Sequence, residues 1–220
     1  MRTLLSVVLI MGLAVSLAAS LSSREAKRID EAAAVLKAIH TVPDKDIPQD
    51  LWQKAACVAV IPGLKKAAFV FGGEYGKGLM SCRHDDRWSG PVFVQLEKGS
   101  WGLQIGAQSI DLVLLVMNTD GVEKLLKNKV SLGAEASVAG GPVGRDARAA
   151  TDAQLKAEIL SYSRTQGLFA GINLSGGVLQ TDQDDTFDLY GSGVQPREVL
   201  LGGTIAPPAV AKSLMSALQR

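Results

Sequence analysis

Six short apolar runs, each closed by glycine or charge, fill the first half of this chain: residues 58–61, 67–71, 78–82, 92–96, 103–107 and 112–117. Runs this short, bounded by turn residues, are strands rather than helices. Their close spacing predicts an antiparallel meander. Gly72, Gly73, Gly76, Gly78, Gly102 and Gly106 lie inside or beside the runs, and strand glycines mark bulges and sharp bends. The expected fold class is therefore α+β, with a curved antiparallel, barrel-like sheet, closed or partly closed, flanked by helices.

Residues 21–40 read as an N-terminal helix. Ser22 and Glu25 have capping-box spacing, and Ile29, Ala33, Leu36 and Ile39 form one stripe. Arg24, Lys27 and Arg28 decorate its other faces among acidic residues, either as the solvated side of a docked helix or as a membrane-contact surface. Pro48 is placed to open a short helix through residue 56. Further along, residues 120–128 read as a helix, 130–139 as a strand, 152–156 as a helical turn, and 158–162 and 168–180 as strands. Residues 182–188 read as an acidic loop. A tail over 192–220 ends in an amphipathic helix bearing Val210, Leu214 and Leu218.

Residues 1–20 read as a targeting segment. Arg2 is the one charge before Arg24, an apolar run covers 4–17, and Ala18 and Ser20 offer cleavage positions. The rival reading is an uncleaved anchor, since residues 3–23 approach the roughly 20 apolar residues that span a bilayer. Both readings place the remainder outside the cytoplasm, periplasmic or secreted. Cys57 and Cys82 are the only two cysteines of the 220 residues, and either a disulfide or two buried thiols fits them. A formal net charge of +1 and an aromatic content of 5% give no global field for nucleic acid and no base-stacking platform.

Catalytic patterns are lacking. No G-x-S-x-G elbow, phosphate-binding loop or H-E-x-x-H pair occurs, and the two histidines, His40 and His84, leave little for a general base. His84 with Asp85 and Asp86 reads as a charged hairpin turn. Asp182, Asp184, Asp185 and Asp188 lack the glycine and terminal glutamate of a calcium loop. Asn173-Leu174-Ser175 falls in an expected strand, so its match to a glycosylation acceptor is incidental. No enzyme activity, metal or cofactor is expected.

Residues 139–171 concentrate glycine around Tyr162-Ser163-Arg164. Such glycines mark positive φ or a close approach by something else. Arg145 and Arg164 sit beside them, and each guanidinium either pairs with a nearby carboxylate or holds an anion with the loop amides. Lys65 and Lys66, after Pro62-Gly63, are exposed candidates for a membrane surface.

Gly140-Gly141-Pro142-Val143-Gly144-Arg145 and the stretch from Tyr162 to Gly171 resemble the two signature blocks of the SYLF domain family. Ile61-Pro62-Gly63, Gly76-Lys77-Gly78, Trp88-Ser89-Gly90-Pro91, Gly102 to Gly106, Asp111 and Tyr190-Gly191 extend the resemblance over residues 29–191. The resemblance implies a domain over 21–191 that binds acidic phospholipids, phosphoinositides among them, or in fungi actin. It also implies membrane contact by the N-terminal helix. The expected function is a non-enzymatic, extracytoplasmic phospholipid-binding protein that takes a headgroup through Lys65, Lys66, Arg145 and Arg164, or an acyl chain on the apolar sheet. The alternative is an adaptor that docks a protein partner without lipid affinity.

Overall fold

The computed structural model describes residues 21–39, 47–68, 71–101, 106–127, 129–143, 156–165 and 168–219. The expected targeting segment, residues 152–155 of the expected helical turn over 152–156, and Arg145 lie outside them. Helix α1, Ser23–Ile39, starts on the expected capping box: the Ser22 amide donates to Glu25 Oε2 (2.7 Å) and the Glu25 amide to Ser22 Oγ (3.3 Å). Helix α2, Gln49–Lys54, follows Pro48 and buries Trp52.

The strands are β1 Cys57–Ala68, β2 Phe71–His84, β3 Arg87–Trp88, β4 Val92–Trp101, β5 Gly106–Val116, β6 Val130–Ser131, β7 Val138–Gly140, β8 Ile159–Thr165, β9 Leu168–Gly171 and β10 Gly177–Thr181. They form one 10-stranded sheet in the order β6-β10-β4-β2-β1-β5-β8-β7, with β3 on β2 and β9 on β8. The sheet curls into a half-barrel. Every pair is antiparallel except β7–β8. That parallel pair makes the sheet mixed, and its connection, residues 141–158, has the length a parallel crossover needs. Helices α3 Thr119–Leu125, α4 Gln183–Tyr190 and α5 Pro196–Leu201, a 3-10 turn Ala209–Ala211 and α6 Lys212–Leu218 complete the fold.

Both faces of the sheet are covered. Val58, Val60, Leu79, Phe93, Val113 and Leu115 pack with α1, Trp52 and the α6 residues Leu214 and Leu218. The alternate residues Ala59, Ile61, Met80, Val94, Leu112 and Leu114 pack with Val122 and Leu125 of α3 and Val199 and Leu200 of α5. Two-sided burial is why the central strands read as continuous apolar runs without polar alternation. It also leaves the sheet faces filled by side chains.

Several boundaries differ from the sequence reading. The run at 67–71 is no separate strand: β1 continues to Ala68, and β2 starts at Phe71. The expected strand over 130–139 is two, β6 and β7, divided at Gly133 (φ 87°), and the one over 168–180 is β9 and β10, divided at Gly176 (φ 83°). Asp182–Asp188 is no loop, because the Asp182 carboxylate accepts from the Asp185 amide (3.3 Å) and caps α4. Helix α5 escaped notice although Pro196 at its first turn and the Gln195–Glu198 capping box announce it.

Two packing features fix the core. Cys57 and Cys82 are register partners on β1 and β2 and form a buried disulfide, which resolves the choice left by the sequence. The glycines of the 139–171 stretch serve close approach: a Cβ on Gly141 would enter the buried Tyr162 ring, and one on Gly171 would meet the Gly141 carbonyl. Ser161, between them, shares its one hydroxyl proton between the carbonyls of Ala139 and Ile172 and so joins β7 and the end of β9 to β8.

Replacing both cysteines by alanine lowers unfolding free energy by about 3 kcal/mol for a loop of this size, read from urea denaturation. Gly141→Ala costs roughly 1–3 kcal/mol through overpacking. Gly99→Ala, where a Cβ meets nothing within 4 Å, stays within about 0.5 kcal/mol of the parent.

Candidate functional site

The site begins with one extra residue in β1. Between Ile61 and Leu64 the chain advances three positions while β5 advances two, from Leu112 to Ile110. The same slip appears against β2, between Val60–Leu79 and Lys65–Tyr75. This is a β-bulge with Gly63 in the left-handed region (φ 59°). Its amide donates to Asp111 Oδ1 (3.0 Å), and the other carboxylate oxygen pairs with Arg164 Nη1 (3.4 Å). The bulge resets the alternation: Leu64 stays in the core with Ile61, and Lys65 turns to the side where α1 packs.

There Lys65 lines a cleft of about 580 Å³ with Arg24, Glu25, Arg28 and Glu31 of α1, Tyr75 and Lys77 of β2, Ser109 of β5 and Asp185 of α4. Tyr75 and Ser109 are the register partners of Lys65, so the three side chains share one face. Glycine brings β2 in: a Cβ on Gly76 would stand 2.7 Å from Ile61 Cγ2, and one on Gly78 would strike the Val60 carbonyl. The Gly76-Lys77-Gly78 motif thus nests β2 against the bulge while Lys77 points to the cleft.

The four cations of the cleft are not equivalent. Asp185 bridges Arg28 (3.2 Å) and Lys77 (3.0 Å), and Asp182 takes the same ammonium at 2.5 Å. Arg28 also lies over the Phe93 ring, 5.9 Å from its centre. Burial opposes the Lys77 charge, but the hydrogen bonds to Asp182 and Asp185 outweigh it and hold its pKa above the ordinary lysine value. Burial raises the Asp185 pKa, and the neighbouring charges of Asp182 and Glu25 add to the rise against the pull of Lys77. Burial is thus the leading cause of the Asp185 shift, and the like charge of Asp182 on the shared ammonium adds to it. Arg24 and Lys65, by contrast, make no ion pair among the described residues.

The candidates named from sequence are dispersed. Lys65 meets Arg24 and Arg28 in the cleft, joining two groups that the sequence treated separately. Lys66 faces the other side of the sheet and pairs with Glu74 (3.1 Å), while Lys27 pairs with Glu31 (3.4 Å). Arg164 supports the bulge through Asp111. His84 Nε2 bonds the Leu200 carbonyl (2.7 Å). Tyr75, Lys77 and Asp185 were missed as cleft residues. The alternation of Tyr75, Lys77 and Leu79 was the available signal for the first two.

The raised Asp185 pKa has a definite sign. A carboxyl that binds its proton more readily when folded disfavours the folded state while charged. The cost is full above its folded pKa and fades as pH falls through it. Asp185→Asn lacks this cost, so its stability relative to the parent falls on acidification through the carboxylate range, as followed by thermal unfolding against pH.

Among known proteins, the family model described as "Ysc84: Las17-binding protein actin regulator" matches residues 97–220. An SH3 domain-containing protein of Schizosaccharomyces pombe is 37% identical over 163 residues, covering 72% of this chain and 38% of that protein. LAS seventeen-binding protein 3 of Saccharomyces cerevisiae is 32% identical over 171 residues, covering 76% and 37%. The human SH3 domain-containing YSC84-like protein 1 is 30% identical over 167 residues, covering 75% and 48%. The match thus spans between 37% and 48% of these relatives' length. With the motifs that form the bulge and the Tyr162 packing in place, this chain belongs to the Ysc84 family of SYLF-domain proteins.

Proposed function

We propose that the chain is a non-enzymatic binding module that engages an anionic phospholipid headgroup at a membrane surface, outside the cytoplasm, through the cleft beside α1. The observation that carries this reading is the convergence of Arg24 and Lys65, neither in an ion pair among the described residues, on one cleft with Tyr75, a residue that is 45% exposed. A guanidinium and an ammonium can share one phosphate, and a half-exposed tyrosine suits the boundary between headgroup and water. The cation Arg28 is already committed to Asp185 and frames the cleft. The Cys57–Cys82 disulfide supports an oxidising compartment, in keeping with residues 1–20 as a targeting segment. Among the described residues no helix is long and apolar enough to cross a membrane, so contact is proposed through the surface cleft.

A second reading, an adaptor that docks a protein partner, draws on a different observation. Glu25, Glu31 and Asp185 also line the cleft, and mixed charge complements a mixed-charge protein surface. Names among the relatives point the same way, to Las17 binding and actin regulation.

Vesicle co-sedimentation separates the two. Binding to anionic vesicles that weakens with salt, and falls by about 2 kcal/mol or roughly thirtyfold in Arg24→Ala/Lys65→Ala, is the expected result. Equal binding by the variant removes the cleft from the headgroup site. No vesicle binding, together with cross-linking of a protein through the cleft, selects the adaptor.

A further inference from the structure

A second groove, of about 550 Å³, lies between the β2–β3 turn and the C-terminal segment and shares no residue with the cleft beside α1. Its volume falls in the roughly 300–1,000 Å³ range of small-molecule sites. Trp88, Val199, Ile205, Pro207, Pro208 and Met215 supply apolar wall. Trp88 also meets two groups that do not line the groove, the Arg83 guanidinium 4.2 Å from its ring centre and the Trp52 ring 6.1 Å away.

The charge of the groove has one sign. Among the described residues its ionisable lining groups are Arg87, Lys212 and His84, and no carboxylate of a described residue lines it. Neither Arg87 nor Lys212 makes an ion pair among the described residues. Asp85 (φ 51°) and Asp86 of the adjoining turn do not line the groove, nor does Asp30, whose carboxylate accepts from the Ser213 hydroxyl beside Lys212. His84 has a fixed orientation, because a carbonyl only accepts and the Leu200 carbonyl therefore takes the Nε2 proton (2.7 Å). Its Nδ1 edge faces Gly203 (φ 66°), where a Cβ would stand 3.8 Å away and the glycine supplies none. The cleft beside α1 mixes three carboxylates with its cations; this groove combines unpaired cations with apolar wall.

We propose that this groove binds a single-chain amphiphile ending in a carboxylate, a fatty-acid-like anion. The alkyl chain lies along Trp88, Ile205, Pro207 and Met215, and the carboxylate sits between Arg87 on the β2–β3 turn and Lys212 at the start of α6. Two cations from separate elements suit one small anionic end group, and burial of the chain against the apolar wall supplies the rest of the affinity. Such a ligand ties the hairpin to the C-terminal segment, so it raises thermal stability by mass action. The site stands apart from the headgroup reading and survives its failure.

The test titrates the full protein with decanoate, decanol and decyltrimethylammonium below their micelle concentrations, following the Trp88 indole NMR signal and the melting temperature. Decanoate is expected to saturate, to shift Trp88 and to raise the melting temperature. Decanol and the cationic analogue should bind at least roughly tenfold more weakly. Arg87→Glu/Lys212→Glu, at two exposed positions, should weaken decanoate by a similar factor, and Arg24→Ala/Lys65→Ala should leave it unchanged. Absence of saturation, binding of decanol as tight as that of decanoate in the parent protein, or loss of decanoate binding in the Arg24/Lys65 variant each overturns the proposal. The decanol comparison requires no variant to fold.

Discussion

The Gly63 amide hydrogen bond to Asp111, with Arg164 on the other carboxylate oxygen, fixes the bulge on which the geometry of the cleft depends. Without the extra residue's slip, strict alternation from Ile61 would place Leu64 on the α1 side and bury Lys65 among the leucines of the other face. A buried unpaired ammonium is far costlier than a bulge, so the sequence Ile61-Pro62-Gly63-Leu64-Lys65 is compatible with the sheet only in the bulged form. Residues far apart in the chain therefore act as one device. Asp111 and Arg164 hold the backbone of β1, the backbone sets the face of each side chain, and the face brings Lys65 to Arg24.

The same logic shows what was legible in the sequence. Short apolar runs and their glycines gave the curled sheet because strand length and turn spacing are local properties. The Ser22–Glu25 box gave the start of α1 for the same reason. The bulge was legible as a possibility, through glycines near the strands, but its partner was not: Gly63 and Asp111 are 48 residues apart. The role of Arg164 turned on that pairing. From sequence an arginine beside glycine in a tight turn reads equally as an anion holder or as half of an ion pair, and a carboxylate on the neighbouring strand β5 occupies it here.

Glycine misleads in a related way. The dense stretch around Tyr162 resembles an anion-binding loop, yet Gly141 and Gly171 are small because an aromatic ring and another backbone press on them. Close approach inside a protein and close approach by a ligand leave the same signature in sequence. What separates them is burial, and Tyr162 is fully buried. Charge behaves likewise. A net charge of +1 conceals a cleft in which paired and unpaired cations stand side by side. It also conceals a groove whose ionisable groups, among the described residues, are all basic. Each distribution arises from folding, since the contributing residues come from separate elements.

Lysine acylation rates, resolved by mass spectrometry in the parent and in Asp111→Ala, test the central claim that the clamped bulge turns Lys65 outward. The account predicts that Lys65, exposed and without an ion pair among the described residues, reacts much faster than Lys66 on Glu74 or Lys77 on Asp182 and Asp185. It also predicts that the contrast shrinks once Asp111 is gone while the sheet remains folded by circular dichroism. Equal rates at Lys65 and Lys66 in the parent, or a contrast indifferent to the loss of Asp111, would contradict it.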